Sequence, residues 1–245
     1  MQKKLLLFQF LFCVICMSVN AQTDSISISG VVRDFQGNPV DSCLVELFHA
    51  NFKTAYQTHT DKEGRYSLQV SKGNYLALGA LKMSEYPLAG STLPKDKQRL
   101  EFWAWNLIAK ENLTINIQYH RLEVYGVNIF RVQGANPGYT IYCRPMSLSR
   151  GFSNPELSLD QIDLCPDPKE LEVKVEVNGI PVNVNMKQKV KEYVSSGICN
   201  AYLLHVDLPR DQVDKPYDIF HIEMTDLANG DRGESIIFKE KANNE

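Results

Sequence analysis

The reading that decides the fold lies between Ile26 and Tyr75: Ile26-Ser-Ile28-Ser-Gly30-Val-Val32-Arg-Asp34, then Gly37-Asn-Pro39-Val40, then Thr60-Asp61-Lys-Glu-Gly64-Arg-Tyr66-Ser-Leu68-Gln-Val70, then Gly73-Asn-Tyr75. Ile26, Ile28 and Val32 alternate with Ser27, Ser29 and Arg33, and Tyr66, Leu68 and Val70 alternate with Ser67 and Gln69. That period of two marks strands with one buried face. Asp34 to Pro39 reads as a turn, because glycine accepts a left-handed backbone and proline withholds its donor from further pairing. Asp61-Lys-Glu-Gly64 reads as a hairpin turn. Further strands are expected over Cys43–Phe48, Thr54–Thr60 and from Gly73 to about Lys82. The stretch predicts a small antiparallel sandwich and carries no catalytic residue.

Outward from it, the totals bound the rest. The chain has 245 residues, 44% hydrophobic and 22% charged, an ordinary globular composition. Lys plus Arg 26 against Asp plus Glu 29 gives −3. Residues 1–21 read as a signal peptide: Lys3 and Lys4, an apolar run from Leu5 to Met17, and small residues at Val19-Asn20-Ala21. Removing the two lysines takes −3 to −5, a mild acidity that argues against nucleic acid or an anionic membrane as partner. The apolar run is too short to span a bilayer, so the mature chain, starting at Gln22, is expected to have no transmembrane segment. The expected compartment is the periplasm, the outer-membrane surface or the medium, where disulfides survive. Cys43 sits in an alternating strand and reads as a free core thiol. Cys143, Cys165 and Cys199 allow one disulfide among them, with the pairing open.

The turn and tyrosine pattern Gly30-x-Val32-x-Asp34-x-x-Gly37-x-Pro39-Val40, Thr60-Asp61-x-x-Gly64-x-Tyr66-x-Leu68 and Gly73-x-Tyr75 resembles the carboxypeptidase regulatory-like domain. The resemblance covers about fifty residues and extends loosely to Lys110-Glu-Asn-Leu113-Thr-Ile115-Asn-Ile117. It implies a transthyretin-like sandwich over residues 25–123, a Bacteroidetes-type exported protein, and a module that accompanies peptidases, glycan-active proteins or outer-membrane receptors. The sequence departs from the family between Met83 and Asn106. There a long polar loop, Ser84–Gln98, precedes Leu100-Glu-Phe102-Trp103-Ala-Trp105-Asn-Leu107. Trp103 and Trp105 are two apart and share a strand face. Either they form an aromatic platform for a sugar or peptide, or they fill the core, as aromatic residues in strands usually do.

Residues 124–241 predict a second, consecutive β-sandwich, immunoglobulin-like in outline and of no recognised family. Its strands are expected at Val124–Val132, Tyr139–Leu148, Leu171–Val177, Val182–Val184, Ala201–Leu208, Tyr217–Thr225 and Glu234–Lys239. Asn178-Gly179 and Asn229-Gly230 are hairpin signals. Pro181 marks an edge strand. Met186, Val190, Tyr193 and Val194 recur at helical spacing, with Asn185 as cap and Gly197 as stop, and predict a short helix.

The search for chemistry leaves no catalytic set. The five histidines are scattered, and no pair has the spacing of a helical zinc motif. His205 and Asp207 share a strand face but read as solvated, as does His221. Gly151-Phe-Ser153-Asn-Pro155 fails as a nucleophile elbow at its last position. Asp163 with Asp167, and Asp226 with Asp231, lack the ligand ladder of a calcium loop. Asn112-Leu-Thr114 fits an N-glycosylation acceptor, and Asp24-Ser25-Ile26 resembles the O-glycosylation site of Bacteroides-type exported proteins, with Ser25 as acceptor. The sequence therefore points to a non-catalytic cell-envelope module with a protein or polysaccharide partner and no cofactor or metal. The alternative is an accessory to a hydrolase system, or a cryptic hydrolase.

Overall fold

A computed structural model describes residues 24–88, 91–134, 137–152, 162–194, 197–211 and 213–241. The expected leader, and residues 153–161 of the connection between Ser149 and Glu170, lie outside the described residues. The chain is all-β, as its period predicts. The first half holds β1 (Ser25–Arg33), β2 (Leu44–Phe48), β3 (Thr54–His59), β4 (Arg65–Ser71), β5 (Gly73–Leu81), β6 (Phe102–Ala109), β7 (Leu113–Thr114) and β8 (Ile117–Gln118). The second holds β9 (Leu122–Phe130), β10 (Tyr139–Ser147), a five-residue α1 (Leu148–Phe152), β11 (Leu171–Val177), β12 (Ile180–Val182), β13 (Val184–Val194), β14 (Gly197–Val206), β15 (Tyr217–Asp226) and β16 (Arg232–Glu240).

Among the described residues these strands form three sheets. One has eight strands in the order β12-β11-β15-β16-β6-β5-β2-β3. It runs unbroken through both halves of the chain. The join is a short parallel pairing in which Ser235, Ile236 and Ile237 of β16 face Trp103, Ala104 and Trp105 of β6. Two four-stranded sheets cover it: β4-β1-β7 with β8 beside β1, and β13-β14-β10-β9.

Strand alternation decides which sheet covers which face. Phe102 and Ala104 of β6 enter a core with Ile26, Ile28, Val32, Tyr66, Leu68 and Val70 from the first small sheet. Trp105 enters another core with Ile141, Tyr202, Leu204, Phe220, Ile222 and Ile237. Successive side chains of a strand point to opposite faces, so the small sheets lie on opposite faces of the long one. The expected boundary near residue 123 falls at the start of β9, where Leu122 and Val124 already belong to the second core.

Two glycines mark where backbones meet too closely for a side chain. A Cβ at Gly30 would sit 1.9 Å from the Ile115 carbonyl oxygen, the same oxygen that accepts the Tyr66 hydroxyl at 2.7 Å. A Cβ at Gly233 would sit 1.6 Å from the Leu122 carbonyl oxygen, where β9 crosses β16.

One expectation fails outright. The helix predicted across Met186–Val194 is β13, an eleven-residue strand paired antiparallel with β14 from Val184↔Val206 to Val194↔Gly197. Lys187 donates to the Leu171 carbonyl, and Lys189 donates to the Cys165 carbonyl at 2.9 Å. Two lysines two apart share the face toward the body of the protein, and their long stems mask the period of two. Inward lysines also guard an edge strand against pairing with another chain. The edge strand expected at Val182–Val184 is divided: Val182 ends β12 (Ile180–Val182), a border of the long sheet that contains Pro181, while Val184 opens β13, the border of another sheet.

Replacing Gly233 by Ala forces β16 away from β9. We expect it to lower the unfolding free energy by about 3 kcal/mol or more, measured by urea titration. A change below about 0.5 kcal/mol would show that the two strands are not locked together.

Candidate functional site

The tryptophan strand builds an aromatic ladder along the junction of the two cores. Trp103 and Trp105 stack with centroids 5.0 Å apart and planes 20° apart. Tyr125 of β9 stands edge-on to both, at 5.9 and 5.3 Å, and the Arg144 guanidinium lies 5.0 Å over Tyr125. In the other direction Phe48 packs 5.8 Å from Trp103, and Phe52 lies 6.4 Å from Phe48. Trp105 is buried, with 7% of its surface exposed, and its indole N–H meets no partner among the described residues. Trp103 is half-buried and donates to Glu123 Oε1 at 2.8 Å. Phe52, on the turn between β2 and β3, is 52% exposed. The ladder thus runs from solvent into the second core.

Beneath Trp103 lies a buried acid pair. Burial, and then the Glu101 carboxylate, push the Glu123 carboxyl well above the usual range; burial raises Glu101 as well. Tyr86 donates to Glu101 Oε1 at 3.4 Å, while Glu101 Oε2 has no partner among the described residues. Two buried carboxylates side by side cannot both ionise cheaply.

Next to the ladder is a cleft of about 480 Å³. It is lined by Ala50 from the β2–β3 turn, Asn74 and Leu76 from β5, Asn106 from β6, Asn128 and Ile129 from β9, and the end of β16 through Glu240. Cleft and ladder share the turn that carries Phe52 and the strand that carries Trp105. The sequence gives little warning of this site, since its asparagines are separated by 32 and 22 positions (106 − 74; 128 − 106).

The charged clusters that might have done chemistry are internally satisfied. Arg150 grips the fully buried Asp226 with two hydrogen bonds, 2.7 and 2.9 Å, and reaches Glu170 at 2.5 Å. Asp231, also fully buried, accepts hydrogen bonds from Ser147 and Ser149 and forms an ion pair with Arg121, whose Nε lies 3.0 Å away. The Lys189 ammonium lies 2.7 Å from Asp163 and 3.1 Å from Asp167, where a bound cation would have to sit. Asp207 accepts from Asn183 and Asn185. No group of three His, Cys, Asp or Glu is arranged for a metal among the described residues. His221 corrects its expected exposure: it is half-buried, and its Nε2 lies 2.6 Å from the buried Glu234 carboxylate.

All four described cysteines are free thiols. Cys143 and Cys165 are buried in the second core, whereas Cys199 faces Arg144 and Glu192 outside it, so Cys199 is turned away from both. Cys43 is buried 3.9 Å from the Tyr119 hydroxyl, and burial pushes its thiol up to about 11. Ser25 is exposed at the first position of β1, while Asn112 accepts from the Ser27 amide.

No family model matches this chain, and no curated protein does. Solved structures give loose overlaps only. The major pilin subunit BcpA of Bacillus cereus is 12% identical, over 88% of this chain and 69% of the pilin, with a TM-score of 0.28. A DUF3823 family protein from Parabacteroides merdae is 10% identical, over 89% of this chain and 100% of its own, again at 0.28. Fervidolysin from Fervidobacterium pennivorans, a keratinolytic enzyme related to subtilisin, is 12% identical at 0.28, with only 25% of its length covered. Overlaps this loose assign neither family nor activity.

The acid pair makes stability pH-dependent in a defined sense. A carboxyl with a raised folded value holds its proton in the folded state, so stability falls once pH climbs past the unfolded value of about 4.3. Glu123→Gln keeps an acceptor for Trp103 and removes the charge. The variant should be at least about 1.4 kcal/mol more stable than the parent at alkaline pH, the equivalent of one pKa unit, with the gap closing below pH 4. Parallel pH profiles for the two proteins would rule out a shared buried proton.

Proposed function

We propose that this chain is an exported, non-catalytic module of the cell envelope that holds a protein or glycan partner at the junction of its two sandwiches. The observation that carries the proposal is the cleft beside the aromatic ladder. It is a concave site of mixed lining, in which apolar residues such as Leu76 and Ile129 alternate with convergent polar groups of a kind that fix a ligand's orientation. The charged side chains elsewhere support the same reading, because they are spent on one another: Arg150 on Asp226, Lys189 on Asp163 and Asp167, His221 on Glu234. A general base or nucleophile needs a free partner at the reacting atom, and these groups are committed to holding loops and strands to one another.

The leader at residues 1–21 supports export, with residues 25–123 and 124–241 as two modules fused through one sheet. The resemblance of the first to the carboxypeptidase regulatory-like domain fits an accessory part. Among the described residues no helix is long and apolar enough to cross a membrane. A glycan on Ser25 would project from the exposed start of β1.

Two measurements test the reading together. Protein recovered from envelope fractions should begin at Gln22, and purified mature chain should turn over no substrate in a peptidase and glycosidase screen, with or without zinc. A cytoplasmic chain retaining Met1, or turnover that disappears in His205→Ala, would overturn it.

A further inference from the structure

The binding-module reading leaves the ligand unnamed, and the cleft narrows it. At about 480 Å³ it falls within the range of ligand pockets, about 300–1,000 Å³. Its polar groups are chiefly amides. Asn106 and Asn128 are exposed, and no hydrogen bond among the described residues uses either side chain. Asn74 makes one long contact, donating to Glu240 Oε1 at 3.5 Å. The charges at the rim are one Lys239 and one Glu240, adjacent and opposite. Such a lining offers no net charge to an ion, while each amide supplies both a donor and an acceptor. Hydroxyl groups, which donate and accept at one atom, match it.

The backbone points the same way. Two residues without glycine's freedom hold left-handed conformations here: Asn106 (φ 52°) in the lining, and Phe52 (φ 60°) two residues beyond the lining Ala50 on the same turn. Asparagine tolerates that region, whereas a bulky aromatic residue there is an outlier that the surroundings must hold in place. Glycine would serve the β2–β3 turn at lower cost. The strained residue instead presents a half-exposed ring on the turn that also supplies Ala50 to the cleft. A ring in that place suits the apolar face of a sugar. An extended peptide added as a strand needs free edge hydrogen bonds. Here β6 pairs with β16 only from Trp103 to Trp105 and β5 with β2 only from Ala77 to Leu81. Among the described residues, Asn106–Ala109 of β6 and Phe238–Glu240 of β16 therefore have no strand partner on the side toward each other, and a strand-forming peptide is the competing occupant that the test must exclude.

We infer that the cleft binds an uncharged oligosaccharide, with the amides of Asn74, Asn106 and Asn128 on its hydroxyls and Phe52 stacked at the mouth. The inference rests on the binding-module reading and names the ligand class. Calorimetric titration of the full mature chain tests it, with cello-, malto-, laminari-, xylo- and mannohexaose as neutral probes. Oligogalacturonate serves as the anionic probe and a strand-forming hexapeptide as the peptide probe.

At least one neutral hexaose should bind. Asn106→Gly, which keeps the left-handed backbone and removes only the amide, should weaken binding tenfold or more, as should Asn128→Ala. Their melting temperatures should stay within about 4 °C of the parent, roughly what 1 kcal/mol produces in a protein of this size. Phe52→Ala should weaken binding about fivefold. Three outcomes overturn the inference: no neutral hexaose binding at millimolar concentration, binding unchanged in both amide variants, or binding of the anionic or peptide probe alone. The last would leave the binding-module reading intact. A neutral hexaose that binds through the amides and is then hydrolysed upholds the site and overturns the non-catalytic reading, so the two failures are distinguishable.

Discussion

Three parallel residue pairs, Trp103 with Ser235, Ala104 with Ile236 and Trp105 with Ile237, fuse the first half of the chain to the second. The Ser235 hydroxyl adds a bond to the Trp103 carbonyl at 2.8 Å. Because neighbouring residues of a strand face opposite ways, this short pairing serves two cores at once. It gives Ala104 and Ile236 to one side and Trp105 and Ile237 to the other. The long sheet, the crossing of β9 over Gly233, the aromatic ladder and the cleft all depend on it. Were β6 and β16 apart, the wall carrying Asn106 and the wall carrying Asn128 would have no fixed relation.

Charge plays a different part. The buried carboxylates Asp226, at the end of β15, and Asp231, just before β16, are held by Ser147, Ser149 and Arg150 from the segment around α1 and by Arg121 from the residue before β9. Removing one member would leave an uncompensated buried charge, which costs far more than the intact pair contributes. Lys189 does the same for the segment through Cys165. These groups fix connections that have little apolar surface of their own.

Much of the fold could be read from the chain because its evidence is local. Alternation placed β1, β4, β11 and β15, and Asn178-Gly179 makes the predicted hairpin, both residues left-handed at φ 54° and 78°. The failure at β13 is also local: four apolar residues fell at helical spacing by chance, while Lys187 and Lys189 spent their charge inward. What stayed hidden is non-local. No periodicity tells Trp103 that its neighbour will be Ser235, and Gly233 is only a glycine until Leu122 crosses it. Sequence put the two tryptophans on one face without saying what would cover it, and the structure divides them, one buried and one half-buried. The cleft was invisible for the same reason, its amides lying on three strands that only the assembled sheets bring together.

The fusion of the two halves through β6 and β16 is tested most directly by equilibrium unfolding in urea, followed at once by tryptophan fluorescence and far-ultraviolet circular dichroism. Both tryptophans lie on β6, whereas dichroism reports every strand. A single transition with superimposable curves is the predicted result. Two separated transitions, with the fluorescence change confined to one, would show that each half stands alone and that the shared sheet does not couple them.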